Sequence, residues 1–337
     1  MVDFNKLLKE AKPLATKSLN PLVIYHAKCA DGFSAAWCFH HVQQYWETSF
    51  DFHAGIYNDP PPSDLEGRVI YMVDFSYKSA VVAEMARVAK QVILIDHHKT
   101  AIDDLEPLIR AGVIEAYTDI ERSGAMLAWD YLFNCHYHET LGHVVETHGP
   151  GSEYYVPPPK LLKYIQDRDL WKFKLVHSRE VNANVFSYDY TFENWDKLMS
   201  AQESELLQMT VAGAAIERKH HKDIKELLDV CQRPMAFTVI LDDPLEPGTT
   251  YKDSITIPVA SLPYTLTSDA GYAMAVSHKE GKEFAACYWD TATHRIFSLR
   301  SADNGMDVSL IAAGYGGGGH KHAAGFRVPR THPLAQY

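Results

Sequence analysis

A short apolar run, Val92, Ile93, Leu94 and Ile95, ends in Asp96-His97-His98. Runs of this length rich in β-branched residues read as buried strands. Two others end in the same way: residues 69–73 lead into Asp74, and residues 22–25 lead into His26 and then Asp31. Helix-like stretches over 33–45 and 79–90 separate them. Apolar runs that alternate with helices predict a parallel sheet covered on both faces. Parallel strands point one way, so the polar endings gather at one sheet edge, where open α/β sheets place their active sites.

Further strands are predicted over 50–57 and 112–117, and a helix over 123–133. Residues 137–159, rich in His, Gly, Pro and Tyr, read as an insertion or long loop. Residues 161–166 then lead to Asp167-Arg168-Asp169-Leu170-Trp171, and the composition turns helical from about 194 to 231. The last hundred residues change character. Strands are expected over 237–241, 257–262, 272–278, 283–288 and 295–299. A helix over 307–313 runs into Gly316-Gly317-Gly318-Gly319-His320. At 337 residues the chain is long enough for two cores. The predicted fold class is α/β: an N-terminal parallel-sheet domain over 1–190, a helical connector over 191–235, and a smaller α/β C-terminal domain over 236–330 that binds substrate, with a cleft between the two domains.

The formal net charge of −11 argues against a sequence-independent grip on long nucleic acid, which needs a basic face. It leaves room for a short anionic substrate held by a few local cations and a metal. Cys29, Cys38, Cys135, Cys231 and Cys287 are odd in number and form no CxxC pair, so neither a disulfide framework nor a zinc finger is expected. Residues 1–17 show no signal-like apolar stretch, and no run approaches the roughly 18 apolar residues of a spanning helix. The expectation is a cytoplasmic, reducing setting without a membrane partner.

Asp and His at strand ends suit Mn²⁺, Mg²⁺ or Zn²⁺, and a carboxylate-rich set favours Mn²⁺ or Mg²⁺ over structural zinc. The proposed ligands are Asp31, Asp74, His97 and Asp167, each from a different loop. A single Asp after a strand is more often a cap or turn residue; the set of four with His97-His98 outweighs that reading. His98 is expected either to stabilise negative charge on a phosphate or to orient His97, and Asp96 to hydrogen-bond a ligand histidine. Successive glycines can turn their N–H groups toward an anion, so Gly317, Gly318 and Gly319, with Arg300 and His320, form the candidate substrate-binding group. Trp37 and Trp171 are candidates for base stacking, although most aromatics in such a chain fill the core or surface.

Taken together, these residues resemble the DHH phosphoesterase superfamily with its DHH-associated C-terminal domain. The N-terminal match runs through His26-Ala27-Lys28-Cys29-Ala30-Asp31-Gly32, Asp74, Asp96-His97-His98 and the Asp167 loop. The C-terminal match runs from Ser298-Leu299-Arg300-Ser301 through the glycine run and His320 to Gly325-Phe326. The resemblance implies Mn²⁺-dependent hydrolysis of phosphoesters in the interdomain cleft by a metal-activated water, with Asp74, Asp96 and His98 at the reacting centre. The N-terminal domain would hold the metals and the C-terminal domain the far end of the substrate. The first motif of the family usually carries His and then Asp-x-Asp, whereas here Cys29 replaces the first acid. One metal set (Asp31, Asp74, His97, Asp167) is therefore intact by this criterion. The other (His26, Cys29, Asp74) is altered, and its metal is expected to be weak, different or absent. The expected substrates are short oligonucleotides or dinucleotides, as in an oligoribonuclease. A RecJ-like single-strand exonuclease, a pyrophosphate or polyphosphate hydrolase, and a non-catalytic nucleotide sensor are the alternatives. The oligomeric state, including a homodimer, stays open.

Overall fold

Uninterrupted apolar strands need partners on both faces, and the N-terminal sheet supplies them. The computed structural model describes residues 19–138, 143–242 and 250–336; the opening segment, where no signal-like stretch was expected, lies outside the described residues. The chain runs β1 (Leu22–His26), α1 (Ala30–Val42), β2 (Asp51–Gly55), β3 (Val69–Val73), α2 (Ser79–Val88), β4 (Gln91–Asp96), α3 (Lys99–Arg110) and β5 (Glu115–Thr118). The five strands pair in parallel in the order β2-β1-β3-β4-β5. Alternate residues serve different cores. Ile24, Ile70, Met72 and Leu94 pack under Val82 and Met85 of α2 and Leu105 of α3. Val23, Val73, Ile93 and Ile95 face the other way, toward Phe33, Trp37 and Phe39 of α1.

That second face is completed by α4 (Gly124–Trp129), α5 (Lys160–Asp169), α6 (Ser178–Val185) and α7 (Phe192–Met199). Helix α4 runs on into a wider turn over Asp130–Asn134. The expected insertion contains a hairpin, β6 (Cys135–His138) and β7 (His143–Thr147), and its residues 139–142 lie outside the described residues. Helix α8 (Glu203–Cys231) follows, 29 residues and so about 44 Å long. Gly213 lets it press on α6: a Cβ there would lie 1.7 Å from the carbonyl oxygen of Glu180. Further along, Ile224 packs with Ala260, Leu262, Ala270 and Met274 of the C-terminal half.

The C-terminal half contains β8 (Gln232–Asp242), β9 (Thr250–Ser261), α9 (Thr267–Ser277), β10 (Phe284–Asp290), β11 (His294–Ser301), α10 (Val308–Gly314), β12 (Gly318–His320) and β13 (Ala323–Pro329). Its six-stranded mixed sheet has the order β12-β13-β11-β10-β9-β8, with only β9 and β10 parallel. Phe237, Phe284, Phe297 and Phe326 fill its core. The predicted α/β class holds, with two large sheets beside the β6–β7 hairpin among the described residues. One predicted strand is corrected: residues 272–278 fall mostly in helix α9. Thr267, Ala270, Gly271 and Met274 are buried at helical spacing, and Gly271 packs on Arg300, where a Cβ would meet Cγ at 3.0 Å. Among the described residues no helix is long and apolar enough to cross a membrane.

Candidate metal centre

Strand β1 lies between β2 and β3, so the chain reverses its direction of travel across the sheet there. Such a switch point opens a crevice at the C-terminal strand ends. His26 ends β1, Asp74 follows β3, Asp96 ends β4, and His97-His98 precede α3. Cys29 and Asp31 stand at the start of α1, Asp169 at the end of α5, and His320 at the end of β12. Asp74 has a left-handed backbone, φ 53°, a conformation Asp tolerates better than most residues. Two glycines close around it. A Cβ at Gly124 would lie 2.5 Å from that of Asp74, and one at Gly32 would lie 3.0 Å from Asp74 Oδ2.

Four side chains converge on one another. His97 Nε2 lies 3.1 Å from Asp74 Oδ1, 3.5 Å from Asp169 Oδ2 and 4.0 Å from Asp31 Oδ2. Asp31, Asp74 and His97 are each 1% exposed. The Asp31 carboxylate accepts the Ala125 amide at 3.3 Å, which fixes its direction. Asp96 Oδ1 accepts the backbone amides of His97 and His98 and, at 2.7 Å, the His98 ring nitrogen Nδ1. On the other side, His26 Nδ1 is 3.5 Å from Asp74 Oδ2, and the ligand atoms of His26, Cys29 and Asp74 lie within 4.8 Å of one another. The His320 ring covers the cluster, its centroid 4.6 Å from that of His97 and 4.4 Å from that of His98.

These residues fit a divalent cation. His26 Nδ1, Asp74 Oδ2, Asp96 Oδ2, His97 Nδ1 and Asp169 Oδ2 are all buried without a hydrogen-bond partner. Each such atom costs about 1–3 kcal/mol when left unsatisfied, and native structures keep few of them. Charge points the same way. Burial, then Asp169 and Asp74, push the Asp31 carboxyl well up. Burial opposes ionisation of Asp74, but the neighbouring imidazoles of His26 and His97 outweigh it and hold Asp74 low. His97 is raised to about 10 against the effect of its burial, because Asp74, Asp169 and Asp31 surround it. The carboxylates need a positive charge among them, and a bound cation meets the same need as an imidazolium.

Asp167 is not part of this cluster. Its carboxylate accepts the Lys174 and Leu175 amides at 2.9 and 3.0 Å and closes the loop after α5. Residues two apart on a helix do not share a face, so Asp169 points to His97 while Asp167 points away. Sequence reasoning passed over Asp169 although it stands in the same Asp-Arg-Asp triplet. The glycine run also differs from the expected anion cradle. The amides of Gly316, Gly317 and Gly319 already donate to Ala313 O, Ala312 O and Thr100 Oγ1. Gly318 serves close approach, since a Cβ there would meet Thr100 Oγ1 at 2.7 Å. The run docks β12 on α3 and delivers His320 to the cluster.

Arg300 donates to Ser298 Oγ, Leu299 O and Ser268 Oγ, while its Nε is buried without a partner. Burial lowers it to about 10. Nearby, Asp269 of α9 accepts from Arg168 at 2.8 Å, Arg179 at 3.2 Å and His220 at 3.1 Å, three cations or potential cations from α5, α6 and α8. The Arg168 guanidinium lies 4.2 Å from the Trp171 ring centre, and Trp171 meets Tyr272 of α9 with centroids 5.3 Å apart. Arg168, Asp269 and Tyr272 had carried no sequence signal beyond their residue types.

No protein-family model matches the chain. It is 24% identical over 327 residues to an uncharacterized protein of Acanthamoeba polyphaga mimivirus, a match that takes in 90% of this chain and 66% of the relative's length. Among solved structures, it is similar to a pGpG-specific phosphodiesterase, PggH from Vibrio cholerae, with 13% identity, coverage of 92% and 94% of the two chains, and a TM-score of 0.41. It is also similar to RecJ from Thermus thermophilus in complex with Mn²⁺, with 16% identity, coverage of 91% and 49%, and a TM-score of 0.45.

Proposed function

We propose that the chain is a metal-dependent phosphoesterase of the DHH type, acting on short oligonucleotides or dinucleotides. The observation that carries this reading is the ring of buried, unpaired carboxylate and imidazole atoms around Asp74 and His97. Asp31, Asp74, His97 and Asp169 would hold a divalent ion, Mn²⁺ by preference and Mg²⁺ as the alternative. Such an ion supplies Lewis acidity, lowering the pKa of a water and neutralising phosphoryl oxygens.

The chain's own groups do the rest. Asp96 fixes the His97 and His98 backbone and turns the His98 ring, so that Nε2 of His98 is the atom left to meet a phosphoryl oxygen. His320 packs against both rings and bounds that side of the site. Arg300 keeps one buried N–H unspent beside Ser268, suited to a terminal phosphate. Trp171 and Tyr272 offer aromatic faces from the two halves of the molecule, suited to a base. A short substrate suits this layout because the halves are clasped at several points, by Thr100 with Gly319 and by Arg327 with the Asn58 carbonyl.

The test is a panel of linear dinucleotides, cyclic dinucleotides, 3′,5′-bisphosphate nucleotide, pyrophosphate and long single-stranded DNA, each with Mn²⁺. Turnover of the linear dinucleotides, with a raised KM in Trp171→Ala, supports the reading. Preference for long DNA or for pyrophosphate refutes the substrate class, and turnover of none refutes the enzyme.

A further inference from the structure

We propose that Cys29 is a thiolate ligand which, with His26 and Asp74, forms a second metal subsite for a borderline ion of the Zn²⁺ or Co²⁺ class, beside the harder set of Asp31, His97 and Asp169. The proposal rests on the metal-binding part of the functional reading and is independent of its substrate.

Three observations support it. The first is convergence: the ligand atoms of His26, Cys29 and Asp74 lie within 4.8 Å of one another, as do those of Asp31, His97 and Asp169. Asp74 joins the two groups, since its Oδ1 faces His97 at 3.1 Å and its Oδ2 faces His26 at 3.5 Å. The second is want of partners. Asp74 Oδ2 and His26 Nδ1 are buried without a hydrogen bond, and Asp74 is 1% exposed. The third is the backbone. Lys28 is left-handed, φ 57°, while Cys29 precedes α1 in extended conformation and makes no side-chain cap. A Cβ at Gly32 would lie 2.6 Å from His26 Cβ, so the turn carrying Cys29 is packed directly on the histidine.

Cys29 is unlike the chain's structural cysteines. Cys38 is fully buried and its Sγ contacts Ala125 O, and Cys287 sits in an apolar cluster with Ala270 and Met274. Burial and nearby acids push the thiols of both Cys29 and Cys38 up, and what sets Cys29 apart is its place within 4.8 Å of ligand atoms of His26 and Asp74, whose Nδ1 and Oδ2 are unpaired. A set of one sulfur, one imidazole nitrogen and one carboxylate oxygen suits Zn²⁺ or Co²⁺. The neighbouring set of two carboxylates and one imidazole suits Mn²⁺ or Mg²⁺.

The experiment titrates Co²⁺ into chelator-stripped full-length protein, comparing wild type with Cys29→Ser and Cys29→Asp. Near-ultraviolet absorption reads sulfur-to-cobalt charge transfer, elemental analysis reads ions per chain, and circular dichroism confirms the fold. Wild type should develop the band and saturate it at one Co²⁺ per chain. Both variants should lose it, and Cys29→Asp should still bind two ions while favouring Mn²⁺ over Zn²⁺. Two bound Co²⁺ without the band, or a band that persists in folded Cys29→Ser, would overturn the proposal. A band in a protein that hydrolyses no phosphoester leaves the subsite standing and removes the proposed function; turnover with both ions bound and no band does the reverse.

Discussion

The two sheets divide the labour unequally. The parallel sheet gathers buried, unpaired polar atoms and a left-handed aspartate at one edge. Helices on both faces hold that edge in place. The mixed sheet is built on four packed phenylalanines, and it touches the cluster through the short strand β12 and its His320. Strain and unsatisfied charge are tolerated where a ligand can relieve them, so ion binding should act on the first region and leave the second almost untouched.

The most severe test of that contrast is Asp74→Asn. Asn accepts the left-handed backbone, so the fold should survive while hydrolysis falls below detection; retained turnover would take Asp74 out of the site. Phe297→Ala should do the opposite. It should lower stability by about 3–5 kcal/mol while divalent-ion affinity of the folded protein stays near wild type. Denaturant melts with and without Mn²⁺ measure both, and loss of ion binding in this variant would show that the regions are not separable.

Within the first region, two neighbouring acids should part company. Asp167→Asn should cost up to about 1 kcal/mol of stability, because the Lys174 and Leu175 amides lose their charged acceptor, yet leave ion affinity intact. Asp169→Asn should weaken ion binding with little change in the melt. Equal effects from both would contradict the geometry. Between the halves, burial disfavours the Asp269 carboxylate, but His220, Arg168 and Arg179 outweigh it and hold its pKa low. Its contribution is therefore present above the ordinary aspartate range near ~4 and is lost as pH falls below that range. Acid melts of wild type should show this loss and those of Asp269→Asn should not. The smallest change is expected at Arg87, exposed and paired with exposed Glu84 on α2. Arg87→Ala should alter stability by under about 0.5 kcal/mol.

The parallel strands were legible because residues buried on both faces leave uninterrupted apolar runs. His26, Asp31, Asp74 and His97 could be placed near one another from strand order alone. Asp167 and Asp169 could not be told apart, because their fates depend on where α5 ends and on which face each then occupies. Helix α9 was hidden by Tyr272-Ala273-Met274-Ala275-Val276, whose alternation imitates a strand. The glycines suggested a cradle because composition does not reveal which carbonyls and hydroxyls their amides will meet. The charges around Asp269 were beyond reach, since they arrive from three helices.

Helix α8 sets how the molecule can open. It is pressed onto α6 at Gly213 and anchored in the other half at Ile224, eleven residues or about three turns further on. His220, which holds Asp269, lies between those anchorages. Lifting His320 away from His97 and His98 therefore means flexing a short stiff rod at its charged midpoint or tearing loose one of its ends. An opening of the centre would therefore turn on this helix, and a change near residue 220 should be felt at the cluster although it touches none of its residues.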